Sequence, residues 1–415
     1  MQFSRYTILF AVTIAVGCAA NPDPGLLEPS SADLVWPAPP ETARIAYLGQ
    51  VASDRDMGKQ SGFFSNLRNG ILGTQEDLLV TRRPFDTYVD GDGRIFVSSG
   101  TIGSILVFDP VAQNARILTP EGPGSLTKPM GLAGDATGLV YVADPVQRRV
   151  VALRDTPEGE PEFAAAYGGR GVLLNPVDVA VSPDGQRIYV ADSYLHQVVM
   201  FNRDGILLQR IGKDEGDLEA KDQRMMSLAS SRVIGGHGGG RSGADSEPSD
   251  LVPNRGAVEG EFRFPAFVDV GPDGTLYVSD GMNFRVQAFD RDGNYLRHVG
   301  RHGDSPGSFA RPKGVAVDSE GHLYVVDAAF NNVQVFDSDG RLLLAFAQFG
   351  NREGQVWMPS GIDIDASDRI YLTDRYNDRI QVFQYLPEPI AEAATTAPEE
   401  AAAVGAALDQ GSGGQ

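Results

Sequence analysis

The sequence predicts an all-β fold: a six-bladed β-propeller of four-stranded antiparallel blades, closed by an N-terminal strand in the last blade. Three observations predict it. A proline recurs at Pro84, Pro129, Pro176, Pro265, Pro312 and Pro359, in steps of 45, 47, 89, 47 and 47 residues. Each interval holds short runs rich in Tyr, Val, Ile and Phe, which suit a pleated surface, cut off by Gly, Asp or Asn before a helix could form. The sixth interval lacks its fourth run, and a matching orphan stands near the N-terminus.

The unit opened by Pro312 shows every element: "GVAVD" (314–318), "HLYVVD" (322–327), "VQVFD" (333–337) and "RLLLAF" (341–346). Turns such as "SPDG" (182–185), "GPDG" (271–274) and "DRDG" (290–293) end in the glycine that supplies the positive φ of a hairpin. The "DSDG" (337–340) and "DGDG" (90–93) stretches lack the full ligand spacing of a calcium-binding EF-hand loop and read as hairpin turns. The 89-residue step exceeds its neighbours by 42 residues and marks an insertion at about 214–262, glycine-rich around His237. It reads either as a lid or as a mobile excursion. The last unit contributes "GIDID" (361–365), "RIYLTD" (369–374) and "RIQVF" (379–383) and stops at Pro387. "ARIAYLG" (43–49) matches the fourth strands "ILLQRIG" (206–212) and "NYLRHVG" (294–300), so it is expected to complete blade six and remove an exposed sheet edge. "SGFFSNLRNGILG" (61–73) places Phe63, Phe64, Leu67 and Ile71 at helical spacing.

Outside the repeats, residues 1–17 read as a signal peptide, with Arg5 before the apolar "YTILFAVTIAV" (6–16), too short for an ordinary membrane span. Residues 18–42 read as a Pro-rich tether, 43–386 as the propeller, and 387–415 as a disordered acidic Ala/Gly-rich tail. The formal net charge of −20 disfavours nucleic acid and anionic lipid surfaces, whose recognition rests on Lys and Arg.

The pattern P-x-G-hydrophobic-A-V-D, then Y-V-x-D, then N-x-R-V-Q-V-F-D resembles the NHL repeat over roughly residues 80–385 apart from the insertion, and NHL propellers commonly have six blades. "AVGC" (15–18) is similar to the lipobox of bacterial lipoproteins, with Ala15 where Leu is preferred. That resemblance implies acylation of Cys18, the single cysteine, and an anchor in the cell envelope. Ala19 after it implies the outer membrane, facing periplasm or cell surface. Fold alone does not set function.

The Y-V-x-D aspartates Asp144, Asp192, Asp280, Asp327 and Asp374 recur in five units beside a turn, with Ser99 in their place in blade one, and are expected to hold loops rather than catalyse. Function should lie where units differ, on the face carrying the loops between strands two and three and between strands four and one. There Arg148, Tyr194, His196, Phe284, Phe330, Arg375 and Tyr376 form a candidate partner-binding rim, as aromatic and Arg residues suit recognition. The alternative is that some of these rings tuck between blades. Asp86, Asp178, Asp269 and Asp363 fall on innermost strands, either converging on a cation such as calcium or solvated in a wide channel. The resulting expectation is a membrane-anchored, noncatalytic, monomeric propeller binding a protein, peptide or glycan, with no nucleic acid partner. The alternative is a metal-dependent lyase resembling peptidyl-hydroxyglycine or streptogramin lyases. Its histidine set is not evident, because His196, His237, His298, His302 and His322 do not repeat at matching positions.

Overall fold

The structure, a computed structural model, describes residues 34–57, 79–156, 161–212 and 258–387. Cys18, the signal segment, the 61–73 stretch, most of the insertion and the C-terminal tail lie outside the described residues.

Six antiparallel sheets follow one another in the predicted order. Blade 1 comprises Asp86–Val89, Ile95–Ser99, Ser104–Asp109 and Asn114–Leu118, and blade 4 comprises Pro265–Val270, Leu276–Asp280, Arg285–Phe289 and Tyr295–Val299. Blades 2, 3 and 5 repeat this pattern after Pro129, Pro176 and Pro312. Middle strands such as Leu323–Asp327 are buried along their whole length, because each sheet is covered on both faces by a neighbouring blade. Outermost strands such as Leu342–Phe346 alternate between half-buried and exposed positions before ending on a buried Phe346. The core is accordingly divided into six apolar clusters, one at each junction between neighbouring blades.

The ring closes as the sequence implied. Ile45–Val51 pairs antiparallel with Arg379–Tyr385, with Tyr47 opposite Phe383 and Val51 opposite Ile380. Through this strand Ile45 and Tyr47 enter the cluster shared with blade 5, and Val51 enters the cluster shared with blade 1. The proposed tether extends too far, however. Val35–Trp36 adds a fifth strand to blade 6, because the Trp36 ring has an apolar seat: its centroid lies 6.1 Å from Phe346 and 5.8 Å from Phe383.

Candidate functional site

The repeated aspartates hold loops. Asp192 accepts the amides of Leu174 at 2.6 Å, Asn175 at 3.0 Å, and Tyr194 and Leu195 at 3.1 Å, tying the start of its blade to the loop after its second strand. Asp327 does the same with Ala310, Arg311, Ala329 and Phe330. In blades 4 and 6, Asp280 and Asp374 exchange some amides for the guanidinium of Arg285 (3.1 Å) and Arg379 (2.8 Å). In blade 1 the Ser99 hydroxyl donates to the Arg82 carbonyl at 2.6 Å. These carboxylates are occupied by their own scaffold, so none is free to act on a ligand.

The four channel aspartates line a cavity of about 130 Å³ on the axis. Each reaches across a blade boundary to accept one amide: Leu132 donates to Asp86 (2.8 Å), Val268 to Asp178 (2.8 Å), Val317 to Asp269 (3.0 Å) and Val89 to Asp363 (2.7 Å). Burial pushes Asp269 up to about 6, Asp363 to about 7 and Asp86 to about 8, and holds Asp178 well above the ordinary carboxylate range. Mutual repulsion with Asp363 and Asp269 adds to the shift at Asp86. Glycines make room for the clasps: a Cβ on Gly131 would collide with Asp178, and one on Gly361 with Asp86. The four carboxyls thus clasp neighbouring blades together. Each carboxyl has committed an oxygen to a neighbouring blade and is held toward its protonated form. Among the described residues no three His, Cys, Asp or Glu side chains come together as a metal site.

The loop end of the channel is stoppered. Phe85 of blade 1 and Phe267 of blade 4, on opposite sides of the ring, stack with centroids 5.2 Å apart and planes 15° apart. Around this pair gather four cations. The Arg375 guanidinium sits over the Phe85 ring at 5.7 Å and Arg83 over the Tyr376 ring at 5.6 Å. Burial, followed by the nearby charges of Arg311 and Arg375, pushes the Lys313 ammonium down to about 8. Burial, reinforced by Arg83 and Arg311, likewise lowers Arg375.

The predicted rim residues separate into two groups. Tyr194 and Tyr376 are exposed, at 38% and 45%. Tyr376 continues into a ridge with Trp357 (5.5 Å between centroids) and Phe349, while Tyr194 neighbours Phe264 at 6.4 Å. Arg375 stands at the channel mouth. Phe284, by contrast, packs on His302 at 4.3 Å and joins the apolar cluster between blades 4 and 5, and Phe330 is half-buried. Arg148, His196 and Phe284 occupy the same place in their blades, a left-handed position (φ 56°, 58° and 56°) that closes the loop before the third strand. His196 has a scaffold role there, because the amide of Phe264 donates to its Nδ1 at 3.0 Å. Asn331 and Asp378 serve Met358 and Arg83 in the same way at two other boundaries. Sequence reasoning passed over Phe85, Arg83, Arg311, Lys313 and Trp357. Their signal lies in the residues beside the opening prolines.

Two family models match stretches of the sequence. A family model described as a 6-bladed beta-propeller matches residues 271–346, and the NHL repeat matches residues 173–201 and 356–383. The chain is thus a six-bladed β-propeller that contains NHL repeats. It is 27% identical over 203 residues to peptidyl-glycine alpha-amidating monooxygenase A of Xenopus laevis, a match covering 47% of this chain and 18% of that much longer relative. A structural genomics protein of unknown function from Bacteroides thetaiotaomicron superposes with a TM-score of 0.50 at 15% identity, over 73% of this chain and 70% of that one. A streptogramin B lyase structure gives a TM-score of 0.49 at 13% identity over 74% and 94%. Identities this low show the fold alone.

Proposed function

We propose that this chain is a monomeric, noncatalytic binding platform that takes a protein, peptide or glycan partner on its loop face, held at the bacterial outer membrane by an acylated Cys18. One observation carries the reading. Among the described residues, Tyr194, Phe264, Phe349, Trp357 and Tyr376 are exposed aromatics of the loop face, while Phe163 on an outer strand is the sole exposed aromatic elsewhere. Exposed aromatic side chains gathered on one face are a feature of recognition surfaces. The test is photocrosslinking from position 357 in the native membrane, with the Trp357→Ala/Tyr376→Ala double variant alongside. The reading requires a discrete crosslinked partner that the double variant loses, and it fails if the yield is unchanged. Anchoring is tested separately: Cys18→Ser should release the protein from the membrane fraction.

A metal-dependent lyase is the second reading, favoured by the match to the Xenopus relative. Such chemistry needs a converging set of metal ligands, and the described residues do not fit it. His196 spends Nδ1 on Phe264, His302 packs under Phe284, and His322 bonds Asp318 at 2.9 Å beside the opposite face. Loss of a peptide-cleaving activity on adding a chelator would favour this reading over the first.

A further inference from the structure

Acidic residues outnumber basic ones in this chain by 55 to 35, so an arginine has carboxylates within easy reach. On the turn face they are used: Arg94 pairs with Asp90 at 2.6 Å, Arg187 with Asp292 at 2.9 Å, Arg291 with Asp184 at 3.2 Å and Arg341 with Asp337 at 2.8 Å. The channel mouth on the loop face reverses this pattern. Arg83, Arg311, Lys313 and Arg375 lie close enough to act on one another's charge, and none makes an ion pair with a described carboxylate. Crowding like charges while partly removing them from water is unfavourable, and the carboxylates of Asp378 and Asp327 beside the site accept the backbone amides of Arg83 and Arg311 without forming ion pairs with the four side chains.

The arrangement is also ordered. Aromatic faces support two of the guanidinium groups, Arg375 over Phe85 and Arg83 over Tyr376, leaving their N–H edges available for an oxyanion. Phe85 is itself fixed by its stack on Phe267. Beside the cations stand the exposed rings of Tyr376 and Trp357, which offer an apolar wall. A ligand matching all of this carries a carboxylate or phosphate at one end and an apolar group at the other.

We infer that the channel mouth binds the oxyanion of a small organic acid through Arg83, Arg311, Lys313 and Arg375, with its apolar part against Tyr376 and Trp357. This rests on the loop face being the binding face and names the chemistry that the face selects. Benzoate, phenyl phosphate, inorganic phosphate and uncharged benzamide are the probes, titrated into the full chain by calorimetry and followed by tryptophan fluorescence. Benzoate or phenyl phosphate should bind and perturb the fluorescence, and benzamide should bind at least tenfold more weakly. The tighter of the two anions tells a carboxylate site from a phosphate site. Arg375→Gln and Lys313→Met should each weaken the anion tenfold or more. Arg83→Gln, an exposed position, gives the same reading should the others fail to fold.

Benzamide binding as well as benzoate, unchanged affinity in a folded variant, or no binding of any probe would overturn the proposal. The two readings separate by outcome. A crosslinked partner retained by the charge variants but lost with Trp357 and Tyr376 leaves the platform standing without its anion site. Anion binding that depends on the four cations, with no partner crosslinked from position 357, leaves the site standing without the platform.

Discussion

Asp363 in the last blade accepts the amide of Val89 in the first at 2.7 Å, so the ring is fastened at its axis as well as at its outer closing strand. Removing that acceptor leaves a buried N–H without a partner, a loss of about 1–3 kcal/mol. Asp363→Ala should therefore lower the unfolding free energy measured by urea denaturation by that amount, whereas Asp363→Asn, which keeps an oxygen at the same place, should cost much less. Equal losses in the two variants would mean that the carboxyl fills space without clasping the blades.

The same carboxyls set a pH dependence whose sign is unusual for aspartate. An unfolded aspartate releases its proton near 3.8, while in the fold Asp269, Asp363 and Asp86 keep theirs up to about 6, 7 and 8. Between those limits the folded state binds more protons than the unfolded one, so stability falls as pH rises. The contribution is complete below about pH 4 and has gone above about pH 8, at up to about 1.4 kcal/mol per pH unit for each retained proton. Asp135, Asp184, Asp290 and Asp337 are shifted the other way, so the stability they contribute is fully present above about pH 3.8 and is lost only as pH falls below it. Between pH 5 and pH 8 His322, raised by its hydrogen bond to Asp318, and the burial-raised Asp192, Asp280 and Asp374 act in the same direction, so the channel group is isolated by comparing variants. The wild-type chain should melt higher at pH 5, and an Asp86→Asn/Asp363→Asn variant should show a smaller difference.

Closure by the N-terminal strand makes residues far apart in sequence depend on one another. Ile45 is fully buried against blade 5, and truncating such a side chain costs about 2–5 kcal/mol. Ile45→Ala should destabilise the whole propeller in one cooperative transition, as should Ile380→Ala in the same sheet. A silent Ile45→Ala would show the strand to be an accessory to a ring that closes without it.

Blade number, strand order and closing strand were legible because a repeat states its pattern six times, and each strand answers to the same two-sided burial. The Y-V-x-D aspartates were legible for the same reason, since a residue that recurs in five of six blades serves the blade. The channel aspartates were visible as departures from the repeat, but their purpose was not. Whether a carboxyl at that height meets a cation or the amide of Leu132 depends on the spacing of blades around the axis, which no single unit encodes. The Val35–Trp36 strand was hidden by its prolines, although Trp36 was the bulky residue that a pure spacer would not need. The cation cluster was obscured by sequence distance, because Arg83, Arg311 and Arg375 are neighbours only after the ring has closed.

His196 offers the sharpest separation between a scaffold role and a chemical one. Its Nδ1 accepts the Phe264 amide across the boundary between blades 3 and 4, a task that Asn331 performs for Met358 between blades 5 and 6. An asparagine has the acceptor and tolerates the left-handed backbone that this position requires, with φ at 58°. His196→Asn should therefore melt close to the wild-type temperature, while His196→Ala, which abandons the Phe264 amide at a partly exposed site, should lose about 1 kcal/mol. Added zinc or a chelator should leave the melting temperatures of the wild-type chain and the Asn variant unchanged. A metal ligand would behave otherwise. Asparagine would then fail to replace the imidazole, and a chelator would shift the wild-type chain and spare the variant. That pattern would move His196 from the frame of the propeller into its chemistry.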